Sequence, residues 1–187
     1  GCHSVDALRW CTGLEPVTVS AFHTTFTKGY QWPTTIVVNV TMRGRRGDAA
    51  PVLAQVVSST DLQLPYTFGV EMMGDRASLR DDLILWSDTP VDVAVLRLAC
   101  PFPEIRFVEA TTPTGAPAIR ILANMPGSSD VTQHPFQGEI DELAACILEG
   151  RETHLNVFDG QRTMEVCIAA DRSAAAGGRP VHVPLLK

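Results

Sequence analysis

The chain has 187 residues, of which 45% are hydrophobic and 19% are charged, and its formal net charge is −6. These values are typical of a single globular domain and exclude a disordered chain. The negative charge argues against nucleic acid as the main partner, and no apolar run approaches the ~20 residues of a membrane-spanning helix. With no signal-peptide pattern in the sequence, we expect a cytoplasmic protein with neither a nucleic-acid nor a membrane partner.

The cysteines and histidines do not form a metal-binding pattern. The five cysteines are odd in number and lack CxxC spacing, and the five histidines are scattered along the chain. Reduced, buried thiols are therefore expected in a cytoplasmic protein, and no metal site is predicted.

The first predicted element is a short helix, roughly from Ser4 to Thr12. Val5, Leu8 and Cys11 recur at helical spacing, and Gly13 stands where a left-handed C-terminal cap belongs.

Residues 17 to 98 are rich in strand patterns. The segments "VTVSAFHTTFTK", "TTIVVNVTM" and "VLAQVVSS" alternate apolar and polar residues, and the last two are joined by an exposed hairpin tip, "RGRRGDAAP". A further hairpin is predicted to turn at Gly74–Asp75, and "VDVAVLRL" is interpreted as one more strand. Strands joined by short turns indicate a largely antiparallel sheet.

The two faces of this predicted sheet differ in polarity. One face is apolar and the other is only moderately polar, so the second face is a candidate interface. The apolar face carries Val17, Val19, Ala21, Ile36, Val38 and Val40, and the other face carries Thr18, Ser20, Thr35 and Asn39.

The last region is predicted to be helical, with a short final strand in "RPVHVPLLK". One helix begins near Pro135 and ends at Gly150, and a second begins at Asp159 as its N-cap and ends at Gly177. The apolar stripe of the first helix comprises Phe136, Ile140, Leu143, Ile147 and Leu148. The second helix has a face of small residues, Val166, Ala169, Ala170, Ser173 and Ala174. The predicted fold class is α+β, a mostly antiparallel open sheet with helices packed on one face, in a single domain over residues 1–187.

Three motifs occur in an order that resembles a known enzyme family. The start, "GCHSVDALRWCTG", resembles the segment G-x-H-x-x-D-x-x-R-W-x-x-G of the Gfo/Idh/MocA family of NAD(P)-dependent oxidoreductases. The end, from "FQGEIDELAACILEGRE" to "GGRPVHVPL", is similar to the closing helices of that family, and "YTFGVEMMGDRASLRDD" to its strand-turn-strand hairpin.

The resemblance implies a two-domain enzyme of which this chain is the C-terminal part. In the family, an N-terminal Rossmann domain binds NAD or NADP, and the C-terminal domain completes the substrate pocket and forms oligomers. The chain has no G-x-G-x-x-G fingerprint after a strand. We therefore expect the Rossmann domain to be absent from this chain, the cofactor to be bound mainly by that domain, and the chain alone to be inactive.

The resemblance also assigns a role to His3. It aligns with the histidine of the family's D-x-x-x-H pattern, which acts as general acid/base near the substrate carbinol while hydride passes to the nicotinamide. An imidazole with a pKa near ~6.5 can exchange that proton in both directions. Asp6 shares a helix face with His3 and either orients the imidazole or makes an ordinary helix-side contact.

Two aromatic residues are further candidates. Tyr30 and Trp32 lie in the loop "KGYQWP", where they either stack on a sugar or close the end of a sheet. Arg9 and Trp10 are interpreted as packing and surface residues. Arg120 and Arg162 either bind an acidic substrate or form surface ion pairs.

Two functions remain open at this point. The first is the substrate-binding and oligomerisation part of an oxidoreductase that acts on a sugar, cyclitol or related polyol, assembled as a homo-oligomer through its sheet. The alternative is a non-catalytic ligand-binding or protein-interaction domain of the same fold.

Overall fold

A computed structural model describes residues 1–43, 51–61, 63, 68–86, 88–100, 105–122 and 136–185. Contacts within the chain divide it into two compact units, Gly1–Gln63 with Ile140–Lys187, and Leu64–Glu139. In chain order the elements are α1 (Cys2–Thr12), β1 (Glu15–Thr24), β2 (Thr35–Arg43), β3 (Val52–Ser59), β4 (Glu71–Met73), β5 (Ser78–Arg80), β6 (Leu83–Leu85), α2 (Val93–Ala99), β7 (Arg106–Thr111), β8 (Pro117–Leu122), α3 (Phe136–Glu149), α4 (Val157–Ala175) and β9 (Val181–His182).

The predicted α+β fold class is confirmed, but the strands form two sheets. The first unit contains a four-stranded sheet of order β3-β2-β1-β9, and the second a five-stranded sheet of order β4-β5-β6-β8-β7. Every pairing in both sheets is antiparallel. The prediction of a single domain over the whole chain stays a prediction.

The core of the first unit lies between one face of its sheet and the helices α1 and α4. The predicted apolar sheet face and small-residue helix face meet here, since α4 packs along β1. Small side chains on α4 allow the helix to approach the strand closely. The buried core residues are Val5, Val19, Ala21, Val38, Val40, Met42, Val56, Val166, Ala169 and Ala170.

Ser173 is completely buried in this layer, and its hydroxyl binds a backbone N–H group of the sheet. Its Oγ accepts from the backbone N–H of Ala21 at 2.9 Å. The strand β9 pairs with β1 only at Thr18 and Val19, so Ala21 lies beyond its end. The hydroxyl therefore satisfies a backbone donor that would otherwise be buried without a partner.

The opposite face of the same sheet mixes polar and apolar side chains, and of the four polar residues predicted there Asn39 is exposed while Thr18, Ser20 and Thr35 are half-buried. Asn39 and Gln55 lie opposite each other in the register and are joined by a hydrogen bond of 3.0 Å. Phe22, Leu53 and Val57 lie exposed beside them. This surface is called the outer sheet face below.

The ends of α1 and α4 follow from their capping residues. Gly13 adopts φ 63° and closes α1, which confirms the predicted left-handed cap. The prediction that Asp159 caps α4 is wrong, because the side chain of Asn156 accepts from the N–H groups of Phe158 and Asp159. The helix thus begins three residues earlier than predicted.

The segment "VDVAVLRL" is a helix and not the predicted strand. The Asp92 side chain accepts from the backbone N–H of Ala94 at 2.7 Å and caps α2 at Val93. A short run of alternating apolar residues fits a strand and a helix equally well, and here the cap decides in favour of the helix.

The second unit has its own small core. Phe107, Ala118 and Ile119 are buried on β7 and β8, the two strands with the longest pairing in this sheet. The hairpin of β4 and β5 turns after Gly74, whose N–H donates to the carbonyl of Ala77, and this confirms the predicted turn.

The helix α3 is confirmed, but its apolar stripe does not enter a core. Ile140, Leu143, Ile147 and Leu148 are exposed, whereas Cys146 is buried. Gly150, with φ 64°, follows its last residue as predicted. The hairpin tip at residues 44–50 and Pro135 lie outside the described residues. Within the described part of the chain, no helix combines the length and apolar character needed to cross a membrane.

Candidate functional site

His3 lies in the first turn of α1, and its side chain is exposed. Among the described residues, it makes no hydrogen bond or ion pair, and none links it to Asp6, Tyr30 or Trp32. A histidine at this position is open to a ligand and is not committed to packing.

The next turns of α1 are tied to the rest of the unit by a buried arginine. Arg9 is only 7% exposed, and its guanidinium donates to Glu15 through Nε at 3.1 Å and to Asp159 through Nη2 at 2.8 Å. Its Nη1 donates to the hydroxyl of Thr163 at 2.8 Å. That hydroxyl in turn donates to Oδ1 of Asp6 at 3.0 Å. We call these five residues the Arg9 network.

The charges of this network keep Arg9 ionised in spite of its burial. Burial alone would lower the pKa of Arg9, but the hydrogen bonds and charges of Glu15 and Asp159 outweigh it and raise that pKa. Planar guanidinium geometry allows several acceptors to be served at once. The network therefore holds α1 against the start of α4 and against β1.

Asp6 takes part in this network through one of its two carboxylate oxygens. Oδ1 accepts from Thr163 and lies 3.7 Å from Nη1 of Arg9. No hydrogen bond to Oδ2 joins it to another of the described residues, and the side chain is 38% exposed. Asp6 thus makes the helix-side contact that was one of its two predicted roles, with one oxygen left for another group.

The other arginines that were candidates for ligand binding are paired. Arg162 donates to Oε1 of Glu15 at 3.1 Å, and Arg120 forms an ion pair with Asp82 at 3.0 Å. Arg9 packs and Trp10 is exposed, as the sequence predicted. A small cleft of about 180 Å³ lies beside the Arg9 network, with Trp10 and Leu155 among its lining residues.

The loop between β1 and β2 carries the predicted aromatic residues. Tyr30 and Trp32 are 63% and 73% exposed, and Phe26 in the same loop is also exposed. The ends of this loop are held by Asp61, which follows β3. The exposed rings of Tyr30 and Trp32 are therefore available to a ligand or to another protein.

Asp61 was not singled out by the sequence and is the anchor of this loop. Its carboxylate accepts from the hydroxyls of Thr27 and Thr34 and from the backbone N–H of Phe26 at 3.3 Å. These donors, the two hydroxyls first, hold the pKa of Asp61 below its usual value. No sequence pattern marked this residue, because the groups that donate to its carboxylate lie 26 to 35 positions away.

The five cysteines are free thiols, but the prediction that they are buried is wrong for most of them. Cys146 is buried, Cys100 and Cys167 are half-buried, and Cys2 and Cys11 are exposed. The two exposed thiols lie near the two ends of α1, in its first and last turns. Among the described residues, no group of three or more His, Cys, Asp or Glu side chains is arranged to hold a metal ion.

Part of the chain matches a known protein family. Residues 1–80, from α1 to β5, match the family model described as the GFO/IDH/MocA C-terminal domain. The resemblance to this family is confirmed. The GFO/IDH/MocA match includes His3, Asp6, Tyr30 and Trp32. No curated protein is similar enough to the chain to count as a match.

Solved structures share the fold over nearly the whole chain. The myo-inositol 2-dehydrogenase of Lactobacillus plantarum is 19% identical with a TM-score of 0.61, over 98% of this chain and 47% of that one. The aldose-aldose oxidoreductase of Caulobacter crescentus, complexed with glycerol, is 23% identical with a TM-score of 0.63, over 98% of this chain and 46% of that one. The scyllo-inositol dehydrogenase of Lactobacillus casei, with bound NAD(H) and scyllo-inositol, is 17% identical with a TM-score of 0.57, over 97% of this chain and 46% of that one.

The match covers nearly all of this chain but only part of each solved structure. The chain spans about half the length of the solved structures that it matches. At these identities the similarity shows the fold alone.

Proposed function

We propose that the chain is the C-terminal, substrate-binding and oligomerisation part of an NAD(P)-dependent oxidoreductase that acts on a sugar, cyclitol or related polyol by hydride transfer. The observation that carries the proposal is the position of His3, which is exposed and unpaired with any of the described side chains, at one end of a helix whose other turns are braced by the Arg9 network. The match of residues 1–80 to the GFO/IDH/MocA C-terminal domain supports the same reading of this helix.

His3 is the proposed general acid/base. Oxidation of a secondary alcohol leaves a proton on the carbinol oxygen, and an imidazole can take up this proton and return it in the reverse reaction. The braced helix keeps the imidazole in a constant place, because Asp6, one turn along α1, is bonded to Thr163 on α4. Constant placement is what general acid/base catalysis requires of its donor.

The substrate class follows from the polar and aromatic groups of the first unit. Oδ2 of Asp6, which accepts from none of the other described residues, can accept from a substrate hydroxyl, and the exposed rings of Tyr30 and Trp32 offer flat apolar faces for the C–H groups of a sugar. The bound glycerol and scyllo-inositol of two structures with the same fold support this class.

The cofactor is proposed to bind outside these 187 residues. Dinucleotides bind at the carboxyl ends of parallel strands, next to a glycine-rich turn that opens a helix. All strand pairs that the structure describes are antiparallel, and these residues do not fit such a site. The NAD(H) bound in one structure of this fold supports the choice of cofactor.

The test compares two histidine variants in the protein that joins this chain to a dinucleotide-binding domain. His3→Ala is expected to lower turnover on a polyol by about 10²-fold or more, the usual loss of a general acid/base. His23→Ala removes another exposed histidine, on β1, and is expected to leave turnover unchanged. Reduction of NAD⁺ or NADP⁺ across a panel of polyols gives the rate.

Three outcomes would contradict the proposal at different points. Unchanged turnover of His3→Ala would remove the role of His3. Saturable binding of NAD⁺ or NADP⁺ by the 187-residue chain would contradict the location of the cofactor site. A joined protein that binds polyols but reduces neither cofactor would favour the alternative, a non-catalytic ligand-binding domain.

A further inference from the structure

The helices α1 and α4 run antiparallel in a register that can be followed from contact to contact. Arg9 contacts Asp159 at 2.8 Å, and one turn towards the start of α1, Asp6 contacts Thr163 at 3.0 Å. Each step of one turn backwards on α1 corresponds to a step of one turn forwards on α4. The same register, extended by one turn, brings the first turn of α1 opposite residues 166 and 167.

Each helix carries a cysteine at this level of the register. Cys2 is the first residue of α1, four positions before Asp6, and Cys167 lies four positions after Thr163. Burial raises the pKa of the Cys167 thiol, and the nearby Cys2 raises that pKa further.

The two thiols differ in their exposure to solvent. Cys2 is exposed, and Cys167 is half-buried, so a small oxidant can reach the first of them. A disulfide needs Cα atoms about 4.4–6.8 Å apart. Gly1, the N-cap of α1, has no side chain that could cap the helix, and its carbonyl accepts from the backbone N–H groups of Ser4 and Val5 at 3.2 Å.

We propose that Cys2 and Cys167 form a modification site, a reversible disulfide that joins the first turn of α1 to α4 when a low-molecular-weight disulfide is present. The disulfide lies one residue before His3 and adds a covalent bond to the helix pair that the Arg9 network already braces. This inference does not depend on the function proposed above.

The reaction is a pair of thiol–disulfide exchanges. The thiolate of Cys2 attacks one sulfur of the low-molecular-weight disulfide, so a mixed disulfide forms and one thiolate leaves. Cys167 then loses its proton to solvent and attacks the sulfur of Cys2, which releases the second thiolate. Two protein thiols are oxidised and one small disulfide is reduced to two thiols. Because the pKa of Cys167 is raised, the second step is expected to become faster as the pH rises.

The experiment treats the 187-residue chain with oxidised glutathione, blocks the remaining thiols with an alkylating reagent, and maps the digested peptides by mass spectrometry. The expected result is a linked pair of peptides that contain Cys2 and Cys167 and that separate on reduction. Oxidation is also expected to raise the melting temperature of the wild-type chain, because the bond restricts the unfolded state.

Two variants control for the site. Cys2→Ser is expected to lose both the linked peptide and the rise in melting temperature. Cys11→Ser, which removes the other exposed thiol of α1, is expected to keep both. The proposal is overturned if Cys2 is recovered as its stable glutathione adduct with Cys167 alkylated, or if Cys2 pairs with another cysteine.

Discussion

At the scale of single residues, Arg9 shows how a small unit accommodates a buried charge. A guanidinium removed from water is stable only if its donors meet acceptors, and Glu15, Asp159 and Thr163 provide them. Such a group adds less stability than its short contacts suggest, because its removal from water is costly. Its main effect is to fix the arrangement of the elements that bring the acceptors.

Replacement of Arg9 by Leu is expected to destabilise the chain by about 2–4 kcal/mol, since Asp159 and Glu15 lose their shared buried cation and Glu15 keeps only its exposed ion pair with Arg162. The loss stays in the lower range because these side chains remain 34% and 29% exposed. Denaturant unfolding measures the change. Arg162→Leu removes an exposed arginine that also contacts Glu15 and should cost less than about 1 kcal/mol, so equal losses would contradict the special place of Arg9.

Asp61 makes the stability of the aromatic loop dependent on pH. Its pKa in the folded chain lies below the ordinary value of 3.8, because the hydroxyls of Thr27 and Thr34 donate to the carboxylate. The group therefore contributes stability that is present above this value and is lost as the pH falls through the folded-state pKa.

The corresponding measurement compares wild type with Asp61→Asn in denaturant unfolding between about pH 5 and pH 2. Part of the wild-type loss of stability on acidification is expected to disappear in Asp61→Asn. Asp171→Asn, an exposed aspartate on α4, should follow the wild-type curve. Coinciding curves for wild type and Asp61→Asn would refute the anchoring role.

At the scale of elements, the turn after α4 is shaped by close packing on a glycine. The N–H of Gly178 donates to the carbonyl of Ser173 at 2.8 Å, and its own carbonyl accepts from the hydroxyl of Ser20 at 2.7 Å. A Cβ placed on Gly178 would lie 2.2 Å from the ring of Phe22. The side chain of Phe22, on β1, thus packs on the backbone of the turn that precedes β9.

Gly178→Ala is expected to cost about 1–2 kcal/mol, because a side chain is strained on a left-handed backbone at φ 87° and the exposed ring of Phe22 must turn aside. Gly177→Ala has a similar φ of 70° but nothing within 4 Å, and it should cost only about 1 kcal/mol. Phe22→Ala in the same chain should restore part of the loss at Gly178 but none at Gly177, as a double-mutant cycle would show. Equal costs for the two glycines would argue against the contact.

At the scale of the whole molecule, the outer sheet face is the feature that bears on assembly. Phe22, Leu53 and Val57 are exposed there, around the hydrogen-bonded pair of Asn39 and Gln55. A single sheet covered on one side leaves a face that another copy of the chain can cover, and a stable interface needs about 1,000 Å² or more. We expect homo-oligomers to form through this face.

Sedimentation of the chain tests this expectation. Val57→Glu places a charge in the middle of the apolar part and is expected to shift the wild-type oligomer to monomers without a loss of melting temperature. Leu98→Glu changes a side chain on α2 that is also exposed, outside the outer sheet face, and should leave the oligomer intact. A wild-type chain that sediments as a monomer, or an oligomer that tolerates Val57→Glu, would contradict this.

The sequence alone predicted most of the elements, because periodicity and capping residues act locally. The strands β1 to β3 and the helices α1 and α3 agree with their patterns, and Gly13 and Gly150 end helices as predicted. Local patterns were insufficient where two structures fit the same residues. The run around Val93 alternates like a strand, and Asn156 and Asp159 are both suitable caps.

In the candidate site, too, some features were predictable from local sequence and others were not. The motif around His3 and the loop with Tyr30 and Trp32 were visible in the sequence, since each lies within a few neighbouring residues. The Arg9 network, the anchor at Asp61 and the bond from Ala21 to Ser173 required the folded chain, because their partners are far apart in sequence. Local preferences determine helices and strands, whereas hydrogen bonds between distant side chains depend on how those elements pack, and only the tertiary structure decides that.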